Sequence, residues 1–178
     1  DYSQGAFRAT ENKLDLALSG DGFFAIEFTN KAGETSTKYT RDGSFTMNEQ
    51  GYLVTKDGDY VLGTNGRIRL NPLQEAVITQ DGTINQNNAT VTKLQITDFE
   101  DYNYIEHYGE NLYQPVEGAT TQASTAKVFP GYLEASNVQV VSEMVQMISV
   151  TRAYETNQKL IQAYDTTLDT TVNSLGKL

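Results

Sequence analysis

The side chains with the clearest chemical potential in this sequence are carboxylates, and five of them lie in one acidic segment. Residues 98–110 contain five acidic side chains, three tyrosines and neither lysine nor arginine. Two carboxylates at a suitable separation can serve as the acid and base of a glycoside hydrolase. A carbohydrate-binding or hydrolytic β-sheet module is therefore one alternative function. Its candidate residues are Asp98, Glu100, Asp101, Glu106 and Glu110.

Other catalytic and metal-binding signatures are not supported. His107 is the only histidine and cysteine is absent, so thiolate zinc sites, multi-histidine sites and cysteine nucleophiles are excluded. The sequence contains no Gly-x-Ser-x-Gly segment that could present a nucleophilic serine. Residues 56–59 (KDGD) lack the further acidic ligands of an EF-hand loop. We therefore predict a protein that is not an enzyme and that has no cofactor or bound metal.

The charge and hydropathy of the chain exclude two classes of partner. There are 23 acidic against 13 basic residues, which gives a formal net charge of -10 at pH 7. Because binding to nucleic acid requires a basic surface, we predict no nucleic-acid partner. No run of residues approaches the ~20 apolar residues that a membrane-spanning helix needs, so we also predict no transmembrane segment.

Turn-forming dipeptides divide the first part of the chain into short strands. Five Asp-Gly or Asn-Gly pairs separate runs of β-branched and aromatic residues, and such pairs favour the tight turns of antiparallel hairpins. No helix of three turns fits between these pairs, which excludes a doubly wound arrangement. We predict a mainly β fold, with a polar arm at residues 1–13 and an antiparallel β-rich body at residues 14–135.

A long helix is predicted at the carboxyl end, over residues 136–178. After Gly131 the sequence contains no proline and only one glycine, which lies near the end. Ser136 followed by Gln139 fits a capping box. Such a helix would measure roughly 60 Å at ~1.5 Å per residue, longer than the diameter of a body of this size. We therefore expect part of the helix to extend beyond the body.

Apolar residues recur every seven positions along this helix. Of the two heptad positions that form a coiled-coil core, one is apolar in every heptad of this helix and the other is polar in half of them. This pattern is typical of one seam of a coiled coil. Burying each such side chain gains ~1.5–3 kcal/mol, so we predict that the seam packs on another helix. The alternative is that the helix packs on the β-rich body of its own chain. Asn157 lies in the seam, where it either fixes the register of two helices or lies at a solvated edge. The predicted assembly interface is Val140, Met147, Val150, Tyr154, Asn157, Ile161, Tyr164, Leu168 and Leu175.

Four segments of the chain, in order, carry a family resemblance. They are residues 14–26 (LDLALSGDGFFAI), 39–55 (YTRDGSFTMNEQGYLVT), 108–114 (YGENLYQ) and 131–165, which opens GYLEASNVQVVSEMVQM. Together they resemble the flagellar basal-body rod and hook family of bacterial axial proteins. The first two are similar to the family's β-domain, and the last is similar to the signature that leads into its terminal helix.

The resemblance implies a structural subunit of the flagellar rod, which transmits torque for swimming motility. It implies a location in the basal body, reached by export across the inner membrane through the flagellar type III apparatus. The implied partners are other copies of the chain and neighbouring rod and hook proteins. In the family an N-terminal helix accompanies the C-terminal one, so we expect that the partner of the seam is encoded upstream of Asp1.

Two finer predictions follow. The short spacing from Gly22 to Gly131, with residues 77–84 (VITQDGTI) and 93–101 (KLQITDFED), looks more like the proximal rod type than the hook or the longer distal rod type. Residues 108–114 also suit the distal type, and a non-flagellar fibre subunit with the same plan is a further alternative.

We also predict a junction between body and helix, where Ser136 caps the helix and Gly131 lets the chain turn. The junction residues are Gly131, Leu133, Glu134, Ser136 and Asn137.

Overall fold

The computed structural model describes residues 4–137 and 140–175. The chain separates into a β-rich unit, Asp1–Asn137, and a helical unit, Val138–Leu178. All strand pairings among the described residues are antiparallel, and the helical unit contains a long α-helix, α1. The predicted fold class, mainly antiparallel β with a long C-terminal helix, is confirmed.

Seventeen short strands form the described part of the β-rich unit. Each of the five Asp-Gly or Asn-Gly pairs lies at the connection between two consecutive strands, as their turn chemistry predicts. A 3-10 helix, Tyr102–Tyr104, lies between the twelfth and thirteenth strands. The strands are β1 (Phe7–Ala9), β2 (Leu16–Ser19), β3 (Phe23–Thr29), β4 (Thr35–Thr40), β5 (Thr46–Met47), β6 (Leu53–Val54), β7 (Tyr60–Gly63), β8 (Gly66–Arg67), β9 (Ala76–Ile78), β10 (Thr83–Gln86), β11 (Ala89–Lys93), β12 (Ile96–Phe99), β13 (Ile105–Tyr108), β14 (Leu112–Pro115), β15 (Thr121–Ala123), β16 (Lys127–Pro130) and β17 (Tyr132–Glu134).

The largest sheet has ten strands and is organised around β3. Its main path runs β13–β14–β4–β3–β7–β6–β5, with β12, β15 and β8 paired beside it. Smaller sheets are formed by β11–β10–β9, by β16–β2 and by β1–β17. The sequence of β3, FFAIEFT, places apolar side chains on both of its faces at its start. A strand of this kind is stable only where both faces are covered, which explains its central position.

Two hydrophobic clusters lie on the two faces of β3. Phe24 and Ile26 belong to the larger cluster, and Phe23 and Ala25 belong to the smaller one. The ring of Phe24 meets that of Phe45 edge-on, with centroids 5.1 Å apart. Aromatic pairs with this geometry stabilise a core beyond the area they bury. The smaller cluster is completed by Tyr39, Phe99 and Ile105.

The helix α1 runs from Val140 to Leu175 and has 36 residues. At ~1.5 Å per residue it extends for roughly 54 Å. Within the described ranges, no helix combines the length and the apolar character needed to cross a membrane. The predicted capping box depends on Gln139, which lies outside the described residues.

The structure adds a strand that the sequence analysis did not predict. Residues 7–9, which we assigned to a polar arm, form β1 and pair with β17. All three residues of β1 are exposed. Because neither face of β1 is buried, its sequence carries no alternation of polar and apolar residues that could have revealed it.

A buried hydroxyl in β11 generates a first stability prediction. Thr92 is only 8% exposed, and its Oγ1 has no hydrogen-bond partner among the described residues. Thr92→Val replaces the hydroxyl with a methyl group of similar shape. We expect the free energy of unfolding to rise by about 1 kcal/mol, because an unsatisfied buried polar group is removed. Urea unfolding followed by circular dichroism measures the change.

Thr92→Ser is the matched control, because it keeps the hydroxyl and removes only the methyl group. We expect it to destabilise the β-rich unit by roughly 1 kcal/mol. A lower unfolding midpoint for Thr92→Val than for the parent chain would contradict the assignment of an unsatisfied hydroxyl.

Candidate assembly site

The β-rich unit begins and ends in one two-stranded ribbon, formed by β1 and β17. Phe7 lies opposite Glu134, and Ala9 lies opposite Tyr132. Beyond the ladder, the amide of Ala135 donates to the carbonyl of Ala6 at 2.8 Å. The described residues before β1 therefore lie beside those after β17. Segments that enter and leave the unit are held side by side at this ribbon.

Gly131 connects β16 to β17 at the point where the chain changes sheet. Its φ of +79° lies in the left-handed region, which strongly favours glycine. Its amide donates to the carbonyl of Asp15 at 2.8 Å, and its carbonyl accepts from the amide of Thr10 at 2.7 Å. Before Gly131 the chain pairs with β2, and after it the chain pairs with β1. The glycine conformation permits this change of partner.

Glu134 anchors the ribbon to the rest of the β-rich unit. Its Oε2 accepts from Nε of Arg41 at 3.0 Å, and its Oε1 accepts from the amide of Gly5 at 2.8 Å. The Arg41 and Glu134 side chains are only 18% and 12% exposed. One carboxylate of β17 thus binds both Arg41 and the backbone just before β1. A largely buried and fully bonded pair of this kind is costly to break from one side.

Arg41 is the functional residue that the sequence analysis missed. Its guanidinium also donates to the carbonyls of Gly20 and Gly22, each at 3.0 Å, and to that of Leu18 at 3.4 Å. The planar fork of arginine suits this many acceptors. The sequence offered one signal, since Arg41 immediately precedes an Asp-Gly turn in a segment with the family resemblance. Its acidic partner lies 93 residues away and could not be identified from the sequence.

Four of the five predicted junction residues lie together in one groove of about 570 Å³. Three cationic side chains line the same groove, together with the carboxylates of Glu134 and Asp42. The groove is therefore locally rich in positive charge on a chain whose net charge is -10. Gly131 is not among the residues that line it. The junction residues in the groove are Leu133, Glu134, Ser136 and Asn137, and the cations are Arg8, Arg41 and Lys56.

The predicted seam of α1 is exposed at every position whose side chain is described. The apolar members are between 61% and 70% exposed, and Asn157 is exposed as well. The side chains of Val140 and Leu175 lie outside those described. An apolar stripe of this length is a common feature of protein interaction sites. Its described apolar members are Met147, Val150, Tyr154, Ile161, Tyr164 and Leu168.

The first turns of α1 carry further apolar side chains that the seven-residue spacing did not select. Met144 and Val145 are each 58% exposed, and Ile148 is 50% exposed. They widen the apolar surface beyond one seam over residues 144–150. The signal was present in the sequence as a dense run of apolar residues, VVSEMVQMISV, but a search for heptads overlooks residues at intermediate spacings.

The carboxylates proposed for a carbohydrate site have different environments. Asp98 is 8% exposed, and its oxygens accept from the Tyr102 hydroxyl at 2.8 Å and from Nε2 of Gln122 at 2.7 Å. Burial, together with the nearby Asp98 carboxylate, raises the pKa of Tyr102. The other four candidates are exposed. Asp98 thus connects β12 to its neighbours.

The buried pair at the ribbon generates the second prediction. We expect Arg41→Met to lower the free energy of unfolding by about 2 kcal/mol, because it leaves the Glu134 carboxylate largely buried without its cation. Amide hydrogen exchange of β17 should accelerate in parallel. The control is Arg67→Met, which removes the more exposed ion pair with Glu27 and should leave the unfolding midpoint nearly unchanged. Equal losses in the two variants would contradict a special role for Arg41.

Two family models match the chain. Residues 17–87 match the model described as flagellar hook protein FlgE/F/G D1 domain. Residues 130–175 match the model described as flagellar basal body rod FlgEFG protein C-terminal. The first match covers β3 and most of its neighbours, and the second covers the junction and α1. The predicted family resemblance is confirmed by both.

Curated relatives are similar over almost the whole chain. The flagellar basal-body rod protein FlgF of Caulobacter vibrioides is 35% identical over 180 residues, which are 99% of this chain and 71% of that protein. The rod protein FlgG of Agrobacterium fabrum is 37% identical, with 92% and 65% covered. FlgG of Bacillus subtilis is 33% identical, with 97% and 69% covered. The chain spans about two thirds of the length of these relatives. It therefore belongs to the flagellar rod and hook protein family and is a structural subunit of the flagellar basal body.

Proposed function

We propose that this chain is an axial subunit of the flagellar rod that assembles with copies of itself and with neighbouring rod and hook proteins. The observation that supports the proposal is the exposure of the α1 seam, where six apolar side chains are more than three fifths exposed. Burying the remaining surface of each would contribute roughly 1–2 kcal/mol. Six such contacts give enough free energy to offset a substantial part of the cost of association.

We propose that the seam binds a helix of the segment that precedes the β-rich unit, in the same subunit or in a neighbour. The β1–β17 ribbon supports this assignment, because it holds the described residues before β1 beside those after β17. Asn157 lies between Val150 and Tyr164 at the companion heptad position. A polar residue there fixes the register of two helices at some cost in stability.

The junction has the task of directing the chain as it leaves the β-rich unit. Gly131 supplies the turn, Glu134 ties β17 to Arg41, and Ser136 is proposed to cap the helix. Leu133 and Asn137 line the same groove as Glu134 and Ser136. In this proposal β17 keeps a fixed position within the β-rich unit, because it pairs with β1 and Glu134 binds Arg41.

The remaining parts of the proposal concern the export of the subunit and its role in the rod. It crosses the inner membrane unfolded through the flagellar type III apparatus, acts without catalysis, and transmits torque within the assembled rod. The absence of cysteine supports export in this form, because refolding then depends on no disulfide. Stacking into a rod requires interfaces that do not close on themselves. The proximal rod type stays a prediction, since relatives named FlgF and FlgG match at similar identity.

The third prediction tests the seam directly. We expect Ile161→Asp to abolish assembly and swimming, because it places a charge in the centre of the apolar seam and costs several kcal/mol on burial. The β-sheet signal in circular dichroism should be unchanged. Motility in soft agar and recovery of the protein in purified basal bodies are the two measurements.

Ala163→Asp is the matched control. Residues two apart on a helix lie about 200° apart, so Ala163 is on the opposite face from the seam. The substitution introduces the same charge and costs helix propensity at least as much. We expect this variant to swim. Normal swimming by Ile161→Asp, or equal loss of motility in both variants, would overturn the role of the seam.

A further inference from the structure

An aromatic segment, residues 100–104, directly follows β12 in the β-rich unit, and we call it the knob. Tyr104 is 43% exposed at its tip, and the carboxylates of Glu100 and Asp101 are exposed beside it. The amide of Asn103 donates to the Asp101 side chain at 2.9 Å, which caps the short 3-10 helix. The knob thus combines one exposed aromatic ring with two exposed carboxylates.

The knob is fixed in place by its neighbours. The Tyr102 hydroxyl donates to Asp98 at 2.8 Å, and the Tyr102 ring packs edge-on against Phe23 with centroids 5.9 Å apart. The carbonyl of Tyr104 accepts from the amide of Val116 at 2.9 Å. Its ring lies so close to Gly118 that a Cβ there would be 3.1 Å away. An exposed aromatic side chain held in this way loses little entropy on binding.

A second groove of about 570 Å³ lies on the same unit and has a complementary character. We call it the lysine groove. Its lining residues include the apolar Leu94, Ile96 and Ala126 and the basic Lys93 and Lys127. It also includes one carboxylate, that of Asp81. Hydrogen bonds from the hydroxyls of Thr79 and Thr83 lower the pKa of Asp81 to about 2.

The wall formed by residues 123–127 is held in a fixed position. The Ser124 hydroxyl donates to the carbonyl of Asp21 at 2.5 Å and accepts from the amide of Ala126 at 3.0 Å. Lys93 lies 3.9 Å from Asp81, whereas no carboxylate lies within ion-pair distance of Lys127 among the described residues. The lysine groove therefore keeps a net positive charge on a strongly acidic chain, with Lys127 available to an incoming carboxylate.

The knob and the lysine groove lie at opposite ends of one strand pair. β12 begins in the groove at Ile96 and ends at Phe99, directly before the knob. β15 runs antiparallel to it, from Thr121 opposite Phe99 to Ala123 opposite Thr97. Two complementary surfaces at the two ends of one element cannot meet within a single copy. They can meet between successive copies, and the contact then repeats without closing.

We propose that the knob of one copy docks into the lysine groove of the next copy, with Tyr104 on the apolar floor and Glu100 beside Lys127. The proposal rests on the proposed function, since it requires copies that stack. Charge complementarity supports a second copy as the occupant, because acidic knob and basic groove are on the same chain. One ring and one or two exposed ion pairs make a weak contact alone. It gains strength when the helices already hold the subunits together at high effective concentration.

Site-directed cross-linking in assembled basal bodies tests the proposal, and the chain offers a clean background because it contains no cysteine. We introduce Asn103→Cys on the knob and Thr125→Cys on the rim of the groove into one full-length chain, expressed in the bacterium's own cells. Both positions are exposed. A short bismaleimide should produce a ladder of dimers and higher multimers of this chain. The control combines Asn103→Cys with Ala32→Cys, an exposed position outside both surfaces, and should give no ladder.

Charge reversal provides the second arm. In the cross-linking background, we expect Glu100→Lys and Lys127→Glu each to reduce the ladder about fivefold, and the two together to restore most of it. Restoration identifies this pair, because misfolding of two single variants would not be rescued by combining them. Equal loss in the double variant would overturn the contact.

The outcomes separate this inference from the proposed function. Cells that swim normally but yield no ladder, or that yield only adducts with a different protein, overturn the knob-and-groove contact and leave the rod function intact. If Ile161→Asp cells swim normally, the function proposal fails first. A ladder that survives in the parent and disappears in Ile161→Asp cells supports both proposals.

Discussion

The antiparallel pairing of β1 with β17, fixed by Arg41 and Glu134, is the constraint on which the organisation of this chain depends. It brings together residues that are 129 positions apart, since the Gly5 amide donates to the Glu134 carboxylate. The first and last described residues of the β-rich unit are thereby held next to each other.

The two units satisfy their apolar surfaces in different ways. The β-rich unit buries both faces of β3 within itself, in a larger cluster around Phe24 and a smaller one around Phe23. The apolar packing that stabilises the β-rich unit therefore comes from within that unit. The α1 seam, by contrast, exposes most of its apolar surface. Since an isolated helix gains little without tertiary packing, the association that we propose would stabilise this segment. Folding of the body and ordering of the helix can therefore be separate events.

We propose that assembly depends on several modest contacts between these surfaces. The seam supplies apolar area along one helical face, and the additional side chains at residues 144–150 widen it near its start. The knob and the lysine groove would add a directional contact between bodies whose strength depends on prior alignment. Contacts of this kind are individually weak and collectively strong once subunits are held in register. In this proposal assembly requires the seam, and the knob contact adds to it, while pairing of two free subunits through the knob alone remains unfavourable.

The sequence by itself determined the local features. Asp-Gly and Asn-Gly pairs located the strand connections because turn preference is a property of a few adjacent residues, and four of the five glycines have a positive φ. The helix itself was predictable from the lack of proline and glycine after Gly131, and its heptad positions from Met147 to Leu168 are apolar, but their role as a seam stays a prediction. Only the tertiary structure decided the rest. Strand β1 is exposed and has no alternation of polar and apolar residues. Arg41 pairs with Glu134, which is 93 residues away in the sequence. The knob and groove are defined by which ends of β12 and β15 lie together. Such pairings depend on how distant segments pack, and the spacing of residues in the sequence does not show which segments pack together.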